Sequence, residues 1–341
     1  MSAKKHLYDF TTIGSVTIDI TQTVSDQYLS DHGLRKTDSN YINTDLFNRL
    51  VKHPDIKMKT IGGPSTNIIT AMALAGGRVG LIGKIGTCDL GQQFNQDIGK
   101  FSLTFMPVVC PEKPTTALMS YVTPDKDRSF AVHSGAGDKL TPEDIDLDMI
   151  DQSRFVHLDL FLMFSDEGRS TIDFVSDHLK RTGGKLALSL NCEPLMEKER
   201  ARIQELAAQA DILVGSLDEF KTLYQVETDE EIFAAAKRLK APVALTNGAK
   251  DVYVIDNQGV HIVPVKKVEG IVDTCGAGDQ FAAGYLKGVI DGLPPKMAAQ
   301  QGCMWSAQII QHYGALPKKV PPQLKAANTN TPPVDIKKVF K

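Results

Sequence analysis

Hydrophobic positions change period several times along the chain, and each change marks an element. A strand pattern runs from about Asp9 to Val16 and turns at Gly14 and Ser15. From about Thr21 to Lys59 the pattern weakens to polar residues around a helical stretch near 46–51, which reads as an insertion. Behind Pro64, a residue suited to a first helical position, Ile68, Ile69, Ala71, Met72, Leu74 and Ala75 recur at helical spacing. Strands are predicted at 78–83, 103–109, 115–123 and 128–133, and a short helix at 90–99. Beyond about Thr141 strand and helix alternate, with strands at 155–158, 185–190 and 212–214 and helices at 167–181 and 197–208. A strand at 242–245, a hairpin at 252–255 and 261–265, a helix from Gln280 and another at 297–312 follow. From Pro317 onward proline, Asn and Thr dominate, as in a surface arm. This alternation predicts an α/β fold, a parallel sheet with helices on both faces and ligands at the carboxyl ends of its strands.

Composition narrows the classes. The 341 residues suffice for one large domain with room for a smaller appended piece, and 42% apolar residues with a net charge of −3 are ordinary for a soluble enzyme. Basic residues are dispersed, the densest patch lying at Lys318 and Lys319, so no nucleic-acid surface is indicated. The five cysteines never form a Cys-x-x-Cys pair, which argues against a disulfide framework or zinc site and for a reducing cytoplasm. Neither an apolar leader nor a membrane-length run occurs, so a soluble, unprocessed chain is expected. A P-loop motif is missing. The one near match to the dinucleotide fingerprint, Gly276 to Phe281, lacks its third glycine and comes late in the chain.

Candidate chemistry concentrates in Asp273-Thr274-Cys275-Gly276-Ala277-Gly278-Asp279, between the short apolar run Ile271-Val272 and the helix from Gln280. Amides at such a strand-to-helix turn suit an anion, although the same residues also suit a plain N-cap. An Asp of ordinary pKa, about 3.9, is a weak base at neutral pH, so Asp279 is expected to orient a hydroxyl and accept its proton late. Gly62-Gly63-Pro64-Ser65-Thr66-Asn67 opens another helix with space for a ligand against backbone, or is a tight turn before a core helix. Asp19, flanked by Ile18 and Ile20, is a turn cap or a carboxylate for vicinal hydroxyls. Asn191, Ser216 with Glu219, and Phe161 each follow a strand end.

These motifs, in this order over about residues 8–320, resemble the PfkB or ribokinase-like family of small-molecule kinases. The resemblance implies a three-layer αβα sandwich with a mostly parallel sheet and a small β-lid. Kinase domain 1–320 would include a lid from about 17–60 and 103–134, and 321–341 would be a C-terminal arm. It implies Asp279 as catalytic base, with Gly276, Ala277 and Gly278 as the anion hole. Asp19, Gly62, Gly63 and Asn67 would hold the substrate, and Phe161, core by default, could wall a base. Asn191, Thr246, Gly248, Asp273 and Thr274 would lie by the nucleotide, with Arg128, by default a surface charge, as an anion clamp. Glu219 would organise Mg2+ through water. Ser216, where the family has Asn, departs from the metal motif and also fits a capping box with Glu219. ATP and Mg2+ are the implied cofactors, K+ an optional one, and a monomer or homodimer the implied assembly. The segment before Gly62, Leu160 to Leu162 and the run Tyr313 to Lys318 look closest to adenosine kinases and related sugar kinases. The expected reaction is phosphoryl transfer from ATP to a primary hydroxyl of a nucleoside or sugar. The alternative is a catalytically impaired ligand-binding or sensing protein, with Ser216 as its support.

Overall fold

The computed structural model describes residues 6–53 and 55–325. The apolar run at the N-terminus divides into two strands, β1 (Phe10–Ile13) and β2 (Thr17–Thr23), which join different sheets. Gly14 makes the turn possible, since a Cβ there would lie 2.0 Å from Ser65 Oγ. The stretch read as an insertion holds α1 (Asp26–Asp31), β3 (Ser39–Tyr41), α2 (Thr44–Leu50) and β4 (Ile56–Gly62). Ser25 and Asn43 cap its two helices by accepting from the N–H groups of Tyr28 and Leu46. Next come α3 (Pro64–Leu74), β5 (Val79–Gly86), α4 (Asp89–Ile98), β6 (Thr104–Cys110), β7 (Thr116–Val122) and β8 (Arg128–His133).

The second half alternates as expected: α5 (Leu147–Asp151), β9 (Val156–Asp159), α6 (Asp166–Thr182), β10 (Leu186–Ser189), α7 (Glu193–Lys198), α8 (Arg200–Gln209) and β11 (Ile212–Ser216). The helix expected at 197–208 is thus two, broken at Glu199, whose φ of −115° is not helical. After α9 (Leu217–Tyr224), α10 (Asp229–Ala236) and β12 (Val243–Asn247), an antiparallel hairpin forms from β13 (Lys250–Asp256) and β14 (Gly259–Val263). The long helices α11 (Ala277–Ile290) and α12 (Pro295–Ile309) close the fold.

Nine strands form the central sheet in the order β14-β13-β12-β11-β10-β9-β1-β5-β6, parallel from β12 through β6. Its residues alternate between two apolar clusters: Ala187, Val214 and Ala244 pack toward α3, α11 and α12, whereas Leu188, Leu213 and Leu245 pack toward α6, α8 and α9. This is the αβα sandwich of the ribokinase-like fold. A second sheet, β3-β8-β7-β2-β4, collects most of the segments expected to form a lid. One correction concerns β6. It was expected in the lid as part of 103–134, but pairs with β5 from Gly80↔Thr104 to Gly86↔Cys110 at the edge of the large sheet. It follows α4, and strand–helix–strand units return to the same sheet.

One lid face, with Ile18, Ile20, Met119 and Tyr121, is buried with Leu29 of α1 and Phe47 and Leu50 of α2. The other face carries Asp19. Of the expected C-terminal arm, 326–341 lies outside the described residues. Residues up to 325 lie against the body: Val320 and Leu324 pack on the core, and the Leu324 N–H donates to Gln301 Oε1 at 2.9 Å.

Candidate active site

A cleft opens at the carboxyl ends of the strands. It is lined by Phe161 after β9, Asn191 after β10, Ser216 and Glu219 at the β11–α9 junction, Thr246 at the end of β12, and Thr274 with Gly276 to Asp279 at the start of α11. Gly276 adopts φ 74°, which only glycine takes readily, and a Cβ there would lie 2.5 Å from that of Ala315. Open space surrounds the Cα of Gly278. On the first turn of α11 the N–H groups of Gly278 and Asp279 have no intrahelical partner. The Ala277 N–H, expected to face an anion, donates instead to Thr274 O at 3.2 Å.

Asp279 is held from the side: Asn67 Nδ2 donates to its Oδ2 at 2.8 Å. Pro64 at the first position of α3 and Gly63, at φ 89°, bring Asn67 there. Asp19 reaches in from β2 and lies over Gly62, where a Cβ would sit 2.1 Å from Asp19 Oδ2. The residues that the sequence places at the acceptor, Asp19, Gly62, Gly63 and Asn67, therefore converge with Asp279. Burial leaves Asp19 Oδ1 and Asn67 Oδ1 without hydrogen-bond partners.

This crowding of acids changes their titration. Burial, reinforced by the charge of Asp279, pushes the Asp19 carboxyl up to about 7. Asp279 is itself raised by burial, partly offset by the bond from Asn67. The expectation of an ordinary carboxyl at Asp279 is overturned, because desolvation outweighs the helix N-terminus. Raised basicity makes it a better proton acceptor than its sequence context suggests.

A third acid escaped the sequence reading. Asp159, at the end of β9, is fully buried. It accepts from Ser65 Oγ and the Phe161 N–H, each at 3.0 Å. Burial, opposed by those bonds and aided by the charge of Asp279, pushes it up to about 6. From Ser65 a buried polar chain continues through Thr12 Oγ1, His157 and Ser189 Oγ to Asn191 Nδ2, the last contact being 3.0 Å. Asn191 itself adopts φ 53°. No local motif marks Asp159 or His157; the one signal is a polar residue inside an apolar strand.

The nucleotide-side residues divide. Ser216 and Glu219 form a reciprocal capping box: the Ser216 N–H donates to Glu219 Oε2 at 2.7 Å, and the Glu219 N–H to Ser216 Oγ at 3.1 Å. Burial raises the Glu219 carboxyl against those bonds, and the charges of Glu193 and Asp279 add to it. Thr246 lines the cleft, whereas Gly248 sits in the exposed β12–β13 turn at φ 57° and does not. Asp273 also stands off the cleft. It accepts from the N–H groups of Cys275 and Gly314 at 2.9 and 3.1 Å and from Arg128 Nη1 at 2.9 Å. Although burial opposes it, these bonds hold the Asp273 carboxyl below its ordinary range. Arg128 is thus neither a solvated charge nor an open clamp. It ties lid strand β8 to the loop before α11, and also donates to Cys275 Sγ at 3.0 Å.

Phe161 and Phe164 pack with ring centroids 5.9 Å apart, and Phe164 packs on Tyr41 of strand β3, again at 5.9 Å. Tyr41 is 61% exposed, and of the three rings Phe161 is the one that lines the cleft. Among the described residues no group of three or more His, Cys, Asp or Glu could hold a metal ion alone. No helix there is long and apolar enough to cross a membrane.

Comparison with known proteins agrees with this architecture. The family model for pfkB family carbohydrate kinases matches residues 36–321. Adenosine kinase of Saccharomyces cerevisiae is 22% identical over 326 residues, 89% of this chain and 94% of that protein. The 2-dehydro-3-deoxygluconokinase of Bacillus subtilis is 26% identical over 266 residues, 75% of this chain and 82% of its own. The crystal structure of adenosine kinase from Sinorhizobium meliloti superposes with a TM-score of 0.81 at 27% identity, covering 92% of this chain and 97% of that one.

Proposed function

Because the chain belongs to the pfkB family of carbohydrate kinases, phosphotransferases acting on an alcohol group, we propose that it moves the γ-phosphoryl group of ATP to a primary hydroxyl of a nucleoside or sugar. The observation that carries this reading is the meeting of Asp279, Asn67 and Asp19 beside the open first turn of α11. In the proposed reaction the acceptor oxygen attacks the γ-phosphorus as the bond to the ADP oxygen breaks. Its proton passes to Asp279, whose Oδ2 is occupied by Asn67, leaving Oδ1 for the hydroxyl. The amides of Gly278 and Asp279 and the dipole of α11 offset the charge on the transferred group.

Magnesium fits this donor set only in company with phosphates. The cleft offers Glu219 and Asn191 but no protein cage, and Mg2+ commonly keeps several waters and binds through one or two carboxylates plus substrate phosphates. Glu219, fixed by Ser216, would hold its water shell; when bound the ion neutralises phosphate charge. Phe161, which lines the cleft after β9, favours a nucleoside over a simple sugar, since an aromatic face suits a flat base.

ADP release with adenosine, ribose and fructose in the presence of Mg2+ and ATP tests the reading. Asp279→Ala is expected to lower turnover by about 10² to 10⁴ with ATP binding largely kept. Near-normal turnover of that variant would refute the role of Asp279.

A further inference from the structure

The buried chain of hydrogen bonds between Asp159 and Asn191 crosses three neighbouring strands, with Thr12 on β1 beside His157 on β9 and Ser189 on β10. Thr12, Ser65, His157, Asp159 and Ser189 are all fully buried, so each polar hydrogen needs a protein partner. One end fixes the direction of the whole chain. Asp159, pushed up only to about 6, is mostly ionised at neutral pH and can only accept. Ser65 therefore spends its one hydroxyl hydrogen on Asp159 Oδ2 and takes a hydrogen from Thr12, at 3.2 Å. Thr12 has none left for His157, so their contact of 2.8 Å requires a hydrogen on Nδ1.

Burial pushes the His157 ring down to about 4, so it is neutral and Nε2 is bare. Ser189, 2.7 Å from Nε2, must donate to it. Its oxygen is then left only to accept, and Asn191 Nδ2 donates to it. The amide of Asn191 is oriented by this sequence of donors: its nitrogen turns into the core, and its carbonyl oxygen is left for the cleft that Asn191 lines.

We infer that His157 is a positioning residue, held as the Nδ1–H tautomer by the Asp159 carboxylate, and that through Ser189 it makes Asn191 present a hydrogen-bond acceptor to the nucleotide side of the cleft. The group received there is an O–H or N–H donor, such as a hydroxyl or a bound water, and not a bare phosphate oxygen. The consequence for the nucleotide rests on the kinase reading of the cleft; the tautomer does not.

NMR of the full chain carrying 15N-labelled histidine, near neutral pH, tests the tautomer. The His157 signals are identified by their loss in His157→Gln or, if that variant does not fold, by contacts to the Phe10 ring stacked 5.8 Å away. Wild type should show a protonated Nδ1 and a bare Nε2. In Asp159→Asn the side-chain oxygen must stay on the Phe161 N–H, so the amide nitrogen faces Ser65 and donates to it. Every hydrogen in the chain then reverses, and His157 should change to the Nε2–H form, which a merely space-filling ring would not do. In ADP-release assays with Mg2+, Ser189→Ala should raise KM for ATP on the order of threefold to tenfold with kcat within about twofold. An Nε2–H ring in the wild type, an Nδ1–H ring kept in Asp159→Asn, or an unchanged KM in Ser189→Ala overturns the inference. The expected tautomers without any ADP release from the wild type refute the kinase reading and leave the orientation of Asn191 standing.

Discussion

Replacing Asp19 by Asn weighs what the acceptor site costs the fold. Burial, and then the charge of Asp279, lift its carboxyl from 3.8 to about 7 in the folded chain, while in the unfolded chain it titrates at its ordinary value. Between those two values the native state holds the extra proton. The stabilisation is therefore fully present below about pH 3.8 and is lost as the pH rises through about 7. At about 1.4 kcal/mol per pKa unit the interval corresponds to about 4 kcal/mol. Asp279 shares the effect, so a loss of about 2 to 4 kcal/mol by pH 8 is expected. Asn keeps the shape and cannot ionise. Asp19→Asn should match the wild type near pH 4 and exceed it by that amount at pH 8. With an unfolding entropy of about 2.1 cal/mol/K per residue over 341 residues, this is a rise in Tm of about 3 to 6 °C. Thermal melts of both proteins at pH 4, 6 and 8 decide it. Parallel stability curves across that range would refute the claim that a buried, unpaired carboxylate sits beneath the lid.

Two further perturbations probe the supports of the cleft. Ser216→Ala removes the half of the capping box that Oγ accepts, leaving the backbone N–H of residue 216 on Glu219, and should lower stability by about 1 kcal/mol in urea titrations, whereas Ser216→Asn, an equally good cap, should stay within about 0.5 kcal/mol; equal losses would show that capping is not what Ser216 supplies. Arg128→Met strips the guanidinium from Asp273, whose side chain is 5% exposed while that of Arg128 is 31% exposed. A double-mutant cycle with Asp273→Asn should return a coupling of about 1 to 2 kcal/mol, with faster amide exchange in β7 and β8 for the single variant. A coupling near zero would mean that lid and body are held by packing alone.

What could be read in the chain was whatever is encoded over a few residues. Gly276, Gly278 and Asp279 mark a helix opening because turn, amides and acid follow one another, and Ser216 with Glu219 is a capping box by spacing alone. Partners far apart in sequence were invisible. Arg128 finds Asp273 145 residues away, Asn67 finds Asp279 212 residues away, and Ser65 finds Asp159 94 residues away. Nothing near Arg128 announces a buried acid, so a charge between Asp127 and Ser129 read as surface or clamp. The titration of Asp279 was misjudged for the same reason: burial is a tertiary property, and it overrides the helix dipole that the local sequence displays. For β6, the amphipathic pattern marks a strand but not which of two sheets receives it.

The link between β4 and α3 is the single residue Gly63. A strand of seven residues extends about 20 Å, so β4 carries the chain from Gly62 under Asp19 to the opposite end of the second sheet, paired with β2 all the way. Near that far end, Met58 approaches Gly314, where a Cβ would lie 3.3 Å from its Cε. Gly314 in turn donates to Asp273, the carboxylate that Arg128 grips. Strand β4 thus meets the body at two places, at Gly62 beside the start of α3 and at Met58 against Gly314, whose N–H holds the same carboxylate that Arg128 reaches from β8.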